Sequence, residues 1–155
     1  MVNKQKRKGT DWERQLVKIL NKKIEGAEFK RVPGSGALGT IMNESRLSGD
    51  VKGRIEFISK EITGEAKTGY GGSKQLTIKR EWLRKVREEA EASYSIPMLF
   101  CKFSDAKTGV KQFVVMDMEA FIEVMQEGNK IYQTLIRAEE KMDKILAKLG
   151  VEEIE

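Results

Sequence analysis

Ile62-Thr63-Gly64-Glu65-Ala66-Lys67 reads as a strand, and its last three residues decide how the chain is understood. Side chains two apart on a strand point to the same face, so Glu65 and Lys67 face one way together. Fifteen positions upstream of Glu65, Ser48-Gly49-Asp50-Val51 follows a glycine-rich stretch and enters a second strand-like segment. Asp50 can therefore share a site with the Glu65/Lys67 pair. Two hard carboxylates and an amine at a strand edge suit Mg²⁺ beside a phosphodiester, with Mn²⁺ able to substitute. Taken singly, each piece has a plainer reading: Asp50 as a turn former or cap, Glu65-x-Lys67 as an exposed strand.

The rest of the chain alternates in the α/β manner. Thr10-x-x-Glu13 matches a capping box and predicts a helix starting at Thr10, preceded by a basic arm over residues 1–9. Trp12, Leu16, Ile19 and Leu20 give that helix its apolar stripe. Phe29 to Val32, Asp50-Val51 and Ile55 to Ile58 read as short strands, separated by the loop that begins Gly34-Ser35-Gly36. Lys79 to Ala92 reads as a helix, and Met98 to Phe103 with Gln112 to Met116 as a hairpin. A short helix is expected from Met118 to about Gln126, ending at Gly128. Another follows from Lys130 to Leu149, where Ile131, Leu135, Ala138, Met142, Ile145 and Leu149 repeat with heptad spacing. That seam fits packing on its own domain or against a second chain. The expected fold is α/β, a central mixed β-sheet flanked by helices. Residues 1–127 form the main domain, and residues 128–155 a C-terminal helix for packing or dimerisation.

Composition narrows the chemistry. The chain has 155 residues, no histidine and one cysteine. Without histidine, Ser-His and Cys-His nucleophiles, histidine bases and ordinary zinc sites are excluded, so a metal site must use oxygen ligands. No run is apolar enough to span a membrane, and a single cysteine fits a cytoplasmic location, the host cytoplasm for a phage- or virus-encoded chain. Net charge is +5, and residues 1–31 hold ten Lys/Arg against four acids. A second basic block runs from Lys67 to Arg87. Two such blocks around the Asp/Glu/Lys group point to a polyanion. Lys4, Lys6, Arg7 and Lys8 in the arm, with Lys74, Lys79 and Arg80 in the second block, are the candidate DNA contacts, and Tyr70 in its glycine-rich loop joins them.

Glu13 has two readings. It can close the capping box, or, lying about 100° round the helix from Trp12, look from the edge of the apolar stripe toward a site at the helix–sheet boundary. Ser35 has no histidine to activate it, so a phosphate or water contact suits it better than covalent chemistry. Trp12 and Trp82 fall on apolar stripes and read as core.

Lys8-Gly9-Thr10-Asp11-Trp12-Glu13-Arg14, Arg31-Val32-Pro33-Gly34-Ser35-Gly36, Ser48-Gly49-Asp50 and Glu65-Ala66-Lys67, in that order, resemble the archaeal-type Holliday junction resolvases of the PD-(D/E)XK nuclease superfamily. The resemblance covers roughly Lys8 to Met116 and implies a restriction-endonuclease-like core. It also implies a Mg²⁺-dependent homodimer that nicks four-way junction DNA in recombination or repair. Asp50 and Glu65 would hold the metal, with Glu13 as a further acidic ligand, and Lys67 would position the attacking water. Ser35 would lie near the scissile phosphate and Arg31 would bind phosphate. Gly49 departs from the family pattern, which has proline there. Another PD-(D/E)XK nuclease of restriction, repair or end-processing type is the nearest alternative, and a non-catalytic DNA-binding module is a further one.

Overall fold

In the computed structural model, residues 4–32, 49–69, 75–104 and 107–149 are described, with side chains from Lys8 onward. The elements are α1 (Lys4–Lys23), β1 (Ala27–Arg31), β2 (Val51–Ile55), β3 (Ile62–Thr68), α2 (Arg80–Glu91), β4 (Ile96–Lys102), β5 (Gln112–Val115) and α3 (Met118–Leu149). The five strands form one sheet in the order β1-β2-β3-β4-β5. Only the β3–β4 pairing is parallel among these strands, and α2 is the crossover that such a pairing needs. The expected mixed sheet flanked by helices is the observed one.

Strand alternation divides the core between two faces. Phe29, Val51, Ile55, Ile62, Met98 and Phe100 meet Trp12 and Leu16 of α1 and Ala120 of α3 on one face. Thr63, Glu65 and Lys67, one residue out of phase, turn to the other face, which α2 covers with Val86 and Ala90. Apolar burial of this kind contributes roughly 1.5–3 kcal/mol per large side chain. Two polar devices fix α1: the Trp12 indole N–H donates to the Phe100 carbonyl at 3.2 Å, and the Asn21 amide brackets Phe29, accepting from its N–H at 2.7 Å and donating to its C=O at 2.9 Å. Gly64 lets the layers close, since a Cβ there would stand 2.5 Å from the Phe100 ring.

Three expectations about element boundaries are corrected. Helix α1 starts at Lys4, so residues 4–9 belong to it rather than to an arm, and Thr10 is interior. Lys, Gln and Arg are good helix formers, and one Gly in such a run costs only about 1 kcal/mol. Val51 and Ile55 are parts of a single strand, β2, which Asp50 precedes as a bend; beyond it the Ile58 N–H bonds back to the Ile55 carbonyl at 2.9 Å and makes a turn. The last two helices are one, because Gly128 is spanned without a break. Its neighbour Glu127 is buried, accepts from the Ser59 N–H at 3.0 Å and from Lys130 at 2.7 Å, and so pins the helix on both sides of the glycine. Asp117 starts this helix by accepting the Ala120 N–H at 2.9 Å, and its pairing with Arg87 ties α3 to α2. Among the described residues no helix is long and apolar enough to cross a membrane.

Gly49 begins the turn into β2 at φ 74°. Its N–H donates to Glu89 of α2 at 2.9 Å. Proline is locked near −65° and has no N–H, so it cannot serve here. Gly49→Pro is expected to lower the unfolding free energy by at least about 2 kcal/mol in urea titration; an unchanged midpoint would contradict this turn.

The Glu127 carboxyl is held at a pKa of about 2, first by the hydrogen bond from Lys130 and then by those from Ser59. A depressed carboxyl pKa gives stability that is present above the unfolded value and lost as the pH falls through the folded one. Glu127→Gln should therefore be less stable than wild type at pH 7. That difference should shrink between pH 4.5 and about pH 2, as measured by melting at several pH values.

Candidate active site

Strand β2 begins at Val51, opposite Gly64 of β3. Beyond that point the outer edge of β3 has no further β2 residue, and a carboxylate takes over from the backbone. Asp50 Oδ2 accepts the Ala66 N–H at 3.0 Å, while the Asp50 backbone holds the Gly64 and Val32 ends through bonds of 2.8 and 3.0 Å. Asp50 is thus seated against the residue that lies between Glu65 and Lys67. The strand reading of Glu65 and Lys67 agrees with the structure, while Asp50 is the bend residue just before β2.

Glu65 is 4% exposed. A carboxylate withdrawn this far from water costs several kcal/mol unless it is paired. Lys67 Nζ donates to Glu65 Oε1 at 2.6 Å, and Lys85 Nζ reaches both carboxylate oxygens at 3.2 Å. Lys67 also sits 5.2 Å above the Trp82 ring, which braces the ammonium from the other side. Trp12 is core as expected; Trp82 is half-buried and serves as this platform.

Lys85, one of the second basic block, and Glu89, which the sequence does not single out, adjoin Glu65 and Asp50 in the structure. They immediately precede the buried Val86 and Ala90, a placement on the rim of the helix's buried stripe that the sequence already contains. Glu89 lies 3.5 Å from Lys85 and accepts the Gly49 N–H. Burial is the largest influence on the Lys85 ammonium and works to lower its pKa. Glu65, Glu89 and Asp50 together outweigh it and raise the pKa, so Lys85 stays charged.

Glu13 is held in an ion pair. It pairs with Arg31 at 2.8 Å, on the α1 side of the sheet, and closes no capping box. Arg31, expected to bind phosphate, is the other half of that pair. Among the described residues no three carboxylate or thiol groups gather closely enough to hold a metal between them. Two carboxylates, Asp50 and Glu65, adjoin β3. Magnesium sites commonly use one or two carboxylates with water and substrate oxygens, so this all-oxygen pair fits a hard divalent ion. Cys101 is fully buried and its thiol is pushed up to about 11 by burial, against the pull of Lys67, so it offers no nucleophile.

Lys8, Lys79 and Arg80 are exposed, as nucleic-acid contacts require, and Lys79 lies 5.8 Å from the Trp82 ring. Lys4, Lys6 and Arg7 fall on α1, with side chains outside the described set. Ser35, Tyr70 and Lys74 lie outside the described residues.

No curated protein matches the chain. The sequence profile of the family described as "Phage putative PDDEXK endonuclease" matches residues 4–152, and with the mixed sheet, Asp50 at the mouth of β2 and Glu65 and Lys67 on β3, the chain belongs to that family, an endonuclease of the PD-(D/E)XK type.

Proposed function

We propose that the protein is a Mg²⁺-dependent, structure-selective endonuclease that resolves four-way DNA junctions by paired nicking in recombination or repair, acting in the cytoplasm. The observation that carries the chemistry is the seating of Asp50 on the Ala66 amide, beside the Glu65–Lys67 pair. The ordered motifs from Lys8 to Lys67 support the junction as substrate.

Asp50 and Glu65 would hold the divalent ion. When bound, such an ion polarises the phosphate and lowers the pKa of a bound water. Lys67, braced over Trp82, directs that water and offsets the charge that grows on the phosphate. Glu13 would be a further acidic ligand and Arg31, its ion-pair partner, a phosphate contact, while Ser35 would contact the phosphate or its water. Lys4, Lys6, Arg7, Lys8, Tyr70, Lys74, Lys79 and Arg80 hold DNA, the basic groups through phosphates without reading sequence.

Paired nicks call for two sites related by symmetry, and the proposed partner is a second copy of this chain. Residues 128–155 supply the contact. The α3 face that meets the core at Ala120 and Val124 continues beyond Ile131 as Leu135, Ala138, Met142, Ile145 and Leu149. Leu135 and Met142 are 58% and 60% exposed. A 3.5-residue apolar repeat that runs past its own domain suits a matching helix.

Lys67→Ala is expected to cut cleavage by roughly 10²–10³-fold, and Asp50→Asn to abolish it, while both still bind a synthetic four-way junction. Wild type in Mg²⁺ should nick opposite strands symmetrically and leave matched linear duplex intact. Efficient cutting of linear duplex would favour a restriction, repair or end-processing nuclease, and Mg²⁺-independent binding with no nicking a binding module.

Leu135→Glu combined with Met142→Glu should convert a dimer to a monomer in light scattering without loss of helical circular dichroism. A dimer that survives both changes would move the contact away from α3.

A further inference from the structure

Glu65 has more positive charge around it than Lys67 supplies. Lys85 Nζ stands 3.2 Å from both Glu65 oxygens, astride the carboxylate proposed above as a metal ligand. The two lysines differ in how firmly they are held. Lys67 comes from the strand itself and is 24% exposed, with the Trp82 ring behind its ammonium. Lys85 reaches in from α2 on a long, flexible stem and is 49% exposed.

The charges set a direction. Asp50 and Glu65 carry two negative charges beside the ammonium groups of Lys67 and Lys85, and Glu89 is shared between Lys85 and the buried Lys52. A divalent ion entering beside Glu65 must displace Lys85 or share the carboxylate with it against like-charge repulsion. A DNA phosphate arriving at the site gives that ammonium somewhere else to go. Glu89, 3.5 Å from Lys85 and anchored on the Gly49 N–H, keeps the stem near the site during the exchange.

We propose that Lys85 is a placeholder cation, which weakens divalent-metal binding at Glu65 until DNA phosphate draws the ammonium away. Metal loading is thereby coupled to substrate binding. The proposal rests on Glu65 being a metal ligand, and the two can fail separately.

The test is calorimetric titration of the full-length protein with Mn²⁺, and with Ca²⁺ when DNA is present. Wild type is compared with Lys85→Met, Lys85→Gln and Glu65→Gln, each confirmed folded by circular dichroism. Without DNA, both Lys85 variants should bind Mn²⁺ at least tenfold more tightly than wild type. Four-way junction DNA should tighten Ca²⁺ binding in wild type and change it little in the Lys85 variants. Equal or weaker Mn²⁺ binding by both Lys85 variants, with binding lost in Glu65→Gln, overturns the placeholder role and leaves the metal ligand standing. Binding unchanged in Glu65→Gln overturns both. Using two replacements of different polarity keeps the result from hanging on the folding of either one.

Discussion

The amide of Ala66 organises the site. Where β2 starts, the outer edge of β3 would carry a backbone donor with no strand beside it, and such groups are rarely left unmet. Asp50 meets it with a side-chain oxygen. One bond thus finishes the ladder and fixes a carboxylate next to Glu65 and Lys67. The positive φ at Gly49 turns the chain so that Asp50 can reach that edge, and α2 secures the turn through Glu89.

Glu65 makes the opposite demand. It is buried in the face covered by α2, where the layer above it is not wholly apolar: Val86 and Ala90 pack down, while Lys85 and Glu89 on the rim supply charge. Packing and ion pairing share one helix here. The other face of the sheet carries most of the apolar core, with Trp12, Phe29, Phe100 and Ala120 together. It can therefore be close-packed while the α2 face stays polar enough to hold ions.

Much of this was legible in the residue pattern. Two-residue alternation placed Glu65 and Lys67 on one face, and the Trp12–Leu16 stripe gave the inner side of α1. The mixed sheet followed from the order of apolar segments. Helix ends were harder to read, because the signal at Thr10 lost to the helix propensity of its upstream neighbours and that at Gly128 to a distant contact. Good helix formers run upstream of Thr10, and Glu127 is fixed by Ser59, sixty-eight residues away. The Glu13–Arg31 pair likewise joins elements eighteen residues apart, and a capping box could not foresee that competitor. Lys85 and Glu89 looked like ordinary helix charges; only where α2 lands over β3 and β4 brings them to Glu65.

The span of the site's bonds bears on how the chain comes off the ribosome. Asp50 to Ala66 closes sixteen residues, Lys85 to Glu65 twenty, and Gly49 to Glu89 forty. Contacts this far apart in sequence form after local helices and turns. A nascent chain that has emerged only through β3 carries Asp50, Glu65 and Lys67 but leaves Glu65 in water, without α2 above it or β4 beside it. Glu65 gains its buried setting only when the crossover docks and brings Lys85 to it.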